Sequence, residues 1–341
     1  MTEPRNQAAQ IMRHGSADEI RVVDVPLPIA GRGEVRVRVL ASGIEYTDVV
    51  IRRHLYAQTM FLRPPFVLGY DVVGEIDQIG EGVSGFKPGD RVADMTVVGS
   101  NAAYRTLRAE NLARVPEGVD AAEAASVILS WTTAYQLLHR IAQVRAGQRV
   151  LVQGAAGAVG QALLVLGGQA GLHLWGTARE QHAGLVRGLG ATPIDYQRVD
   201  AAHVLPDGFD VVFDGIGADG YRQSFSALKP GGLLCAYGYT ASVNARQRLL
   251  TLLARVTWLY TWRRLLGALP AGKRLRVYSI NLMRAHHPAW FQQDLETLFG
   301  LLAEHRIAPR VAGRIPLAEV AEAHRRLEAG GLDGKLVLCP R

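Results

Sequence analysis

Cysteine is scarce in this chain: Cys235 and Cys339 are the two among its 341 residues. They are far apart and form no C-x-x-C pair, so they provide neither a disulfide framework nor a cysteine-based zinc site. The first seven residues, MTEPRNQ, lack the apolar segment of a secretory signal. Both observations predict a protein of the reducing cytoplasm.

Long hydrophobic runs are also missing, apart from one stretch without charge. No Asp, Glu, Lys or Arg occurs between Val150 and Ala178, yet this stretch contains seven glycines. A membrane-spanning helix needs about 20 predominantly apolar residues. So many glycines favour a buried strand, turn and helix instead.

Acidic residues are absent between Asp219 and Asp294, and this segment is the source of the formal net charge of +7. Its positive field favours an anionic partner, whether a phosphorylated cofactor, a phosphopantetheine thioester or an anionic lipid surface; the alternative is a solvated, arginine-rich face. Residues 246–276 form a basic insert whose apolar runs are too short to span a bilayer. We interpret the insert as a helical cap on a partner subunit, a lid over a lipophilic substrate, or a weak contact with a membrane surface. No nucleic-acid-binding module is recognisable, so nucleic acid is not an expected partner.

The remaining composition is that of a globular protein, with 48% hydrophobic and 20% charged residues, and the length suggests two domains. Residues 20–115 read as short β segments, and in residues 34–40 polar and apolar side chains alternate as in a half-buried strand. Later residues alternate between β and helical runs, which predicts a parallel, doubly wound sheet with right-handed crossovers. We expect one domain of residues 1–125 and 285–341 and a second of residues 126–284.

A glycine-rich turn between a β run and a helix is the most informative motif. Gly154–Gly160 reads GAAGAVG, and a turn without large side chains lets a diphosphate approach the N–H groups at a helix N-terminus. We therefore predict a dinucleotide site. The next β run ends in Gly176–Arg179 without the carboxylate that would accept ribose hydroxyls, and Arg179 suits the 2′-phosphate of NADPH. Tyr196 is either a neighbour of the adenosine ribose or an ordinary half-buried tyrosine.

Five segments in register carry a family resemblance: ASGIEYTD at 41–48, LGYDVVGEI at 68–76, residues 80–92, the glycine turn, and GKLVL at 334–338. They resemble the medium-chain dehydrogenase/reductase superfamily, over nearly the whole chain. The branch is similar to the zinc-independent quinone oxidoreductases, including their vesicle-membrane homologues and enoyl reductases. The resemblance implies an α/β protein with a GroES-like β-barrel catalytic domain and a Rossmann domain with a doubly wound parallel sheet. It also implies an active site in the cleft between them and a homodimer.

The resemblance also bears on metal binding. Zinc-dependent members place a Cys, a His and a further Cys around the metal, and the matching positions here are Glu45, Tyr70 and the Ser130–Trp131 region. Zinc prefers nitrogen and sulfur ligands, and one carboxylate cannot hold it. We therefore expect no catalytic metal.

The reaction implied by the resemblance is NADPH-dependent hydride transfer to an activated C=C bond or a quinone. Such acceptors need no Lewis acid, because the developing charge delocalises as an enolate. The substrate would be a small-molecule enone, quinone or enoyl thioester. Tyr56 matches a tyrosine of related enoyl-thioester reductases, and it is either the proton donor or enolate hydrogen-bond donor, or a packing residue of the cleft.

Glu45 is unusual, because most zinc-free relatives have asparagine there. If Glu45 is buried near the nicotinamide, desolvation raises its pKa and suits it to proton transfer; alternatively it forms an ion pair with Arg52 or Arg53. Tyr46 is a third catalytic candidate, and Asp48 is expected to fix the loop rather than react.

The resemblance and the glycine pattern supply the other candidates for the site. The substrate-cleft candidates are Tyr70 and Trp131, and the cofactor-binding candidates are Gly154, Ala155, Ala156, Gly157, Ala158, Val159, Gly160, Thr177, Arg179, Tyr196, Thr133 and Gly238. Two other functions stay open. One is a biosynthetic enzyme acting on a polyketide-like or enoyl-thioester substrate; the other is a non-catalytic, nucleotide-binding peripheral membrane protein.

Overall fold

The computed structural model of the protein describes residues 5–218, 220–238 and 272–340. Most of the basic insert 246–276 lies outside these residues, so its three interpretations stay predictions. Within the described ranges, no helix is long and apolar enough to cross a membrane.

The chain forms two compact units. The first comprises Met1–Thr132 and Ala289–Arg341, and the second comprises Thr133–Pro288. The divisions after residues 132 and 288 lie a few residues beyond the predicted domain boundaries at 125 and 285. The first falls inside the helix Ser130–Tyr135 and the second at the first residue of the helix Pro288–Ala303, where no change of sequence pattern marks them.

Strands and helices are joined by short turns along most of the described chain. The strands are β1 (Asn6–Ile11), β2 (Ile20–Val25), β3 (Glu34–Ile44), β4 (Phe66–Val67), β5 (Asp71–Ile79), β6 (Arg91–Met95), β7 (Tyr104–Arg108), β8 (Ala113–Arg114), β9 (Arg149–Gln153), β10 (His173–Ala178), β11 (Thr192–Asp195), β12 (Phe209–Asp214), β13 (Leu228–Ala236), β14 (Arg274–Val277), β15 (Val311–Pro316) and β16 (Lys335–Cys339). The α-helices of the described residues are α1 (Tyr46–Arg52), α2 (Ala121–Ile128), α3 (Ser130–Tyr135), α4 (Ala158–Gln169), α5 (Ala183–Gly188), α6 (Arg222–Ser226), α7 (Ile280–His286), α8 (Pro288–Ala303) and α9 (Val320–Ala329).

The first unit is built mainly on antiparallel strands, with β15 and β16 as a parallel pair. Its main sheet has the order β15-β16-β3-β5-β6-β8, with β7 also paired to β3, and a smaller sheet has the order β2-β1-β4. The predicted alternation in β3 is confirmed: its valines are buried, whereas Arg36 and Arg38 form ion pairs with acidic side chains of β5. The last strand, β16, pairs with β3, so the C-terminal segment completes the sheet that the N-terminal residues begin.

The second unit contains one wholly parallel sheet of six described strands in the order β11-β10-β9-β12-β13-β14. This is the Rossmann order, and the direction of strand addition reverses between β9 and β12. A buried apolar cluster that includes Leu151, Phe209 and Leu234 packs the sheet. The predicted fold class is confirmed: the protein has a GroES-like domain and a Rossmann domain with a parallel sheet.

Candidate functional site

The turn after β9 reaches helix α4 without a side chain larger than a methyl group. Gly154 has a φ of +72°, in the left-handed region that favours glycine. A Cβ at Gly160 would lie 2.5 Å from the carbonyl oxygen of Gly154, so the helix packs on the turn at a distance that glycine allows. The first N–H groups of α4 have no i−4 carbonyl, and the helix dipole adds positive potential there. The turn 154–157 therefore fits a diphosphate group.

Thr177, at the end of β10, holds this turn from the neighbouring strand. Its buried hydroxyl accepts the N–H of Gly154 at 3.0 Å and donates to Oε1 of Gln153 at 2.7 Å. Its carbonyl oxygen accepts the N–H of Ala155 at 2.9 Å. The sequence predicts that Thr177 contacts the cofactor, and the structure places it beside the turn with its hydroxyl bonded to protein groups. A contact with the cofactor stays a prediction.

Arg179 directly follows β10, and its side chain contacts that of Tyr196, which directly follows β11. Its Nε donates to the Tyr196 hydroxyl at 3.1 Å, and Tyr196 is 52% exposed. A small surface depression beside them is lined by Arg179, Arg187, Glu180 and Asp195, among others. The depression therefore carries two guanidinium groups and two carboxylates.

Two other predicted cofactor residues lie in the second unit. The carbonyl oxygen of Gly238 accepts the hydroxyl of Tyr221, and a Cβ at Gly238 would lie 2.6 Å from the carbonyl oxygen of Gly215. This close approach of two turns explains the glycine at position 238. Thr133 is buried in α3, as is Trp131, which belongs to the first unit.

Two tyrosines that the sequence assigns to separate roles are hydrogen-bonded in the first unit. The hydroxyl oxygens of Tyr56 and Tyr70 are 2.7 Å apart, and their rings meet edge to face with centroids 6.1 Å apart. Tyr70 is 1% exposed, whereas Tyr56 is half-buried at the start of a short 3₁₀ turn. A hydroxyl that accepts a hydrogen bond becomes a better donor itself, so the pair suits donation to a substrate oxygen.

Glu45 lies at the start of α1 in a buried cluster of ionisable groups. Its N–H donates to Oδ2 of Asp48 at 2.8 Å, which helps to begin the helix. Its carboxylate forms an ion pair with Lys335, the first residue of β16. Lys335 also donates to Oδ2 of Asp71 at 3.1 Å and to the carbonyl oxygen of Ala125 at 3.0 Å. Asp48 thus has the architectural role that the sequence indicates.

Glu45 forms an ion pair, as one alternative predicted, but its partner is Lys335 and not Arg52 or Arg53. Arg52 and Arg53 both pair with Glu328 on α9, the former at 2.6 Å. Seven residues of helix separate Glu45 from Arg52 by about 10 Å along the axis. The carboxylate therefore meets the lysine of β16 rather than an arginine near the end of its own helix.

Burial governs the protonation of this cluster. Burial raises the pKa of Glu45 to about 7, with the Lys335 charge opposing the rise and the Asp71 charge adding to it. Burial alone would lower the pKa of Lys335, but the charges of Asp71 and Glu45 outweigh it and raise that pKa. Burial also raises the pKa of Asp48 well above its usual range. One ammonium group cannot neutralise the buried carboxylates around it, so protonation of Glu45 relieves part of the excess negative charge.

Sequence reasoning missed Lys335 and Asp71 as partners of Glu45. Both residues lie in segments that carry the family resemblance, but 264 positions separate them and no local spacing connects them. Gly43 leaves room for the end of the Lys335 side chain, which a Cβ at that position would overlap. The available signal was a lysine at the start of an apolar last strand, because a buried lysine needs an acidic partner.

Comparison with known proteins finds relatives along the full length of the chain. It is 32% identical over 339 residues to a quinone oxidoreductase of Pseudomonas aeruginosa, covering 97% of this chain and 98% of that protein. It is 29% identical over 347 residues to the synaptic vesicle membrane protein VAT-1 homolog of Rattus norvegicus, covering 96% and 82%. The crystal structure of a 2-haloacrylate reductase matches with a TM-score of 0.81 at 28% identity, covering 98% of this chain and 99% of that one.

A longer protein is also similar. A mycocerosic acid synthase-like polyketide synthase of Mycobacterium tuberculosis is 32% identical over 317 residues. The match covers 90% of this chain but only 14% of the length of the synthase. The chain therefore resembles one segment of that protein.

Two family models match the chain. Residues 31–137 match the alcohol dehydrogenase GroES-like domain, and residues 189–338 match the zinc-binding dehydrogenase family. The donor set does not fit zinc, because the cation beside Glu45 is the Lys335 ammonium group and Tyr70 offers a hydroxyl bonded to another tyrosine. In the part of the chain that the structure describes, no group of three His, Cys, Asp or Glu side chains could hold a metal ion.

The family models fall on both units, and the quinone oxidoreductase relative aligns almost from end to end. The glycine turn fits the nicotinamide cofactor that this family binds, since it carries no side chain larger than a methyl group before the N-terminus of α4. The chain belongs to the medium-chain dehydrogenase/reductase superfamily of oxidoreductases, in its quinone oxidoreductase-like branch.

Proposed function

We propose that the chain is a zinc-independent, NADPH-dependent reductase that transfers hydride to an activated C=C bond or a quinone. The observation that carries this proposal is the turn 154–157, with its methyl-sized side chains, at the reversal point of a Rossmann sheet. The names of the relatives support it: a quinone and a 2-haloacrylate both present carbon conjugated to an electron-withdrawing carbonyl group.

The chain's own residues supply hydrogen bonds and protons for such a reaction. When bound, the nicotinamide supplies the hydride. In this proposal Tyr56 donates a hydrogen bond to the oxygen on which enolate charge develops. Either hydroxyl of the Tyr56–Tyr70 pair can be the donor, and donation from Tyr70 to Tyr56 strengthens the bond to the substrate. Because Tyr70 is buried, it also fixes the orientation of the Tyr56 hydroxyl.

Glu45 is the proposed proton source for the reduced carbon. A pKa of about 7 leaves both of its protonation states populated near neutral pH, which suits a general acid. Lys335 and Asp71 hold its carboxylate in place. Tyr46, the first residue of α1, is half-buried beside it in the sequence and stays a catalytic prediction.

Cofactor choice is assigned to the end of β10. Arg179, bonded to Tyr196, binds the 2′-phosphate of NADPH with Arg187 on the other side of the depression. The nearby Glu180 and Asp195 carboxylates oppose an added phosphate, so the preference depends on both arginines.

The cofactor part of the proposal is tested by fluorescence titration with NADPH and NADH. We expect tighter binding of NADPH than of NADH. We expect Arg179→Gln to weaken NADPH binding by about 10- to 100-fold while NADH binding stays within twofold, since a lost charge-assisted hydrogen bond costs about 1.5–3 kcal/mol. Arg145→Gln, at an exposed arginine outside the depression, is the control. Tighter binding of NADH would contradict the assignment.

The reductase part is tested by NADPH consumption with quinones, enones and enoyl thioesters. Turnover of at least one class is the expected result, and no turnover of any class by protein that binds NADPH would favour the non-catalytic alternative. The match to a segment of a polyketide synthase makes enoyl thioesters the second substrate class to test.

A homodimer in the cytoplasm remains a prediction. Among the described strands, β14 is the last of its sheet and pairs with β13 alone, so its other edge offers backbone groups to a second copy. Sedimentation velocity of the purified chain measures this directly, and a single monomeric species would remove the proposal.

A further inference from the structure

A closed circuit of contacts runs beneath the glycine turn and joins three strands of the parallel sheet. The N–H of Gly154 donates to the Thr177 hydroxyl at 3.0 Å, and that hydroxyl donates to Gln153 Oε1 at 2.7 Å. Nε2 of Gln153 donates to the Ser224 hydroxyl at 3.1 Å, and Ser224 donates to Oδ2 of Asp214 at 2.6 Å. Every donor in the chain points the same way, toward the carboxylate.

The carboxylate then returns the circuit to the turn. Oδ1 of Asp214 accepts the N–H groups of Ile216 at 2.7 Å and Gly217 at 3.0 Å. The Ile216 side chain packs directly over Gly154, since a Cβ there would lie 2.7 Å from Cδ1 of Ile216. The turns after β9 and β12, on either side of the strand-order reversal, are thus held to each other by one hydrogen-bonded chain and one apolar contact.

Burial makes each link depend on the others. Thr177 is 3%, Ser224 1% and Asp214 4% exposed. Buried polar groups that lose a partner pay the full desolvation cost, and hydrogen bonds in a chain polarise one another. Removal of one hydroxyl therefore disturbs groups that it does not touch.

We propose that Thr177, Gln153 and Ser224, ending on Asp214, form a positioning chain that fixes the backbone of the glycine turn and so sets its affinity for the dinucleotide diphosphate. This inference rests on the proposed function of the turn. It gives Thr177 a different task from the direct cofactor contact expected from the sequence, and it assigns a role in cofactor binding to Ser224, a residue of helix α6 outside the turn.

The test is a set of cofactor titrations by fluorescence, with thermal unfolding measured in parallel. We expect Thr177→Val and Ser224→Ala each to weaken the Kd for the preferred dinucleotide by about tenfold, which corresponds to about 1.4 kcal/mol. Thr177→Ser, which keeps the hydroxyl, should restore the wild-type Kd. Ser226→Ala is the matched control, because that hydroxyl lies in the same helix but bonds the carbonyl of Gln223 at an exposed site.

The double variant of Thr177→Val with Ser224→Ala separates a connected chain from two independent contacts. Thr177 and Ser224 belong to the same circuit, so a connected chain predicts a combined loss of about tenfold, whereas independent sites predict about a hundredfold. Losses that multiply in the double variant, or affinities within twofold of wild type in variants that fold, would overturn the chain. If Ser224→Ala does not fold, Gln153→Leu, which removes the link between Thr177 and Ser224, takes its place with the same expected loss. Wild-type protein that binds neither NADPH nor NADH would instead remove the proposed function, and the inference with it.

Discussion

Replacing Glu45 by glutamine should change how the stability of the protein depends on pH. The pKa of Glu45 is raised by burial from its ordinary value of 4.5 to about 7 in the folded state. The folded protein therefore binds a proton between these two pH values that the unfolded chain releases. Stability from this group is fully present below pH 4.5 and is lost as the pH rises through 7.

The magnitude follows from the rise in pKa. One pKa unit corresponds to 1.36 kcal/mol, so a rise from 4.5 to about 7 makes Glu45 cost the wild type about 3 kcal/mol between pH 4.5 and pH 8. A glutamine has no such dependence. Lys335 keeps its hydrogen bonds to Asp71 and Ala125 in Glu45→Gln, so the variant retains partners for the ammonium group.

Urea unfolding followed by tryptophan fluorescence at pH 5, 6, 7 and 8 measures the effect. The free energy of unfolding of Glu45→Gln minus that of the wild type should grow with pH and level off above pH 8. The Glu45 charge also raises the pKa of Asp48, so the difference includes the relief of Asp48 in the variant, which has the same sign. Glu117→Gln, at an exposed glutamate, should give a difference that is flat with pH. A flat difference for Glu45→Gln as well would refute the burial argument.

Three further substitutions test the rest of the site. Gly160→Val places a side chain against the preceding turn and should abolish dinucleotide binding in a fluorescence titration, whereas Gly168→Ala, in open space on the same helix, should leave it unchanged. Lys335→Met leaves two buried carboxylates without their cation and should lower the free energy of unfolding by about 3–5 kcal/mol, against less than about 1 kcal/mol for the exposed Lys87→Met. Tyr56→Phe should lower kcat for NADPH consumption by about 10²-fold or more, as for loss of an oxyanion donor, without changing the Kd for NADPH; equal turnover would contradict the role of this hydroxyl.

Much of the fold could be predicted because its signals are local. The period-two alternation in β3 and the alternation of strand and helix patterns in the second unit depend only on neighbours along the chain. The glycine turn is of the same kind: Gly154 and Gly160 are required by a left-handed φ and by a close approach within seven residues. The two compact units divide a few residues beyond the predicted domain boundaries, at positions where no change of sequence pattern marks the division.

The chemistry of the candidate site was harder to predict because its partners are distant in sequence. The pairing of Tyr56 with Tyr70, and of Glu45 with Lys335, depends on which strands become neighbours rather than on spacing. Charge alone suggested Arg52 or Arg53 as the partner of Glu45, because both lie near it in the sequence. In the structure both arginines pair with Glu328, and strand pairing brings Lys335 to Glu45.

Burial and charge together set the protonation of the carboxylate at position 45. Three buried carboxylates, Glu45, Asp48 and Asp71, share one ammonium group, that of Lys335, and protonation of Glu45 removes one of the excess negative charges. Burial penalises net charge, so Glu45 stays protonated to a higher pH than an exposed glutamate. An asparagine at this position would also be uncharged but would carry no exchangeable proton. The carboxylate therefore adds one exchangeable proton to the site at a pH where reduction of a double bond consumes one, and this is the property that Glu45→Gln removes.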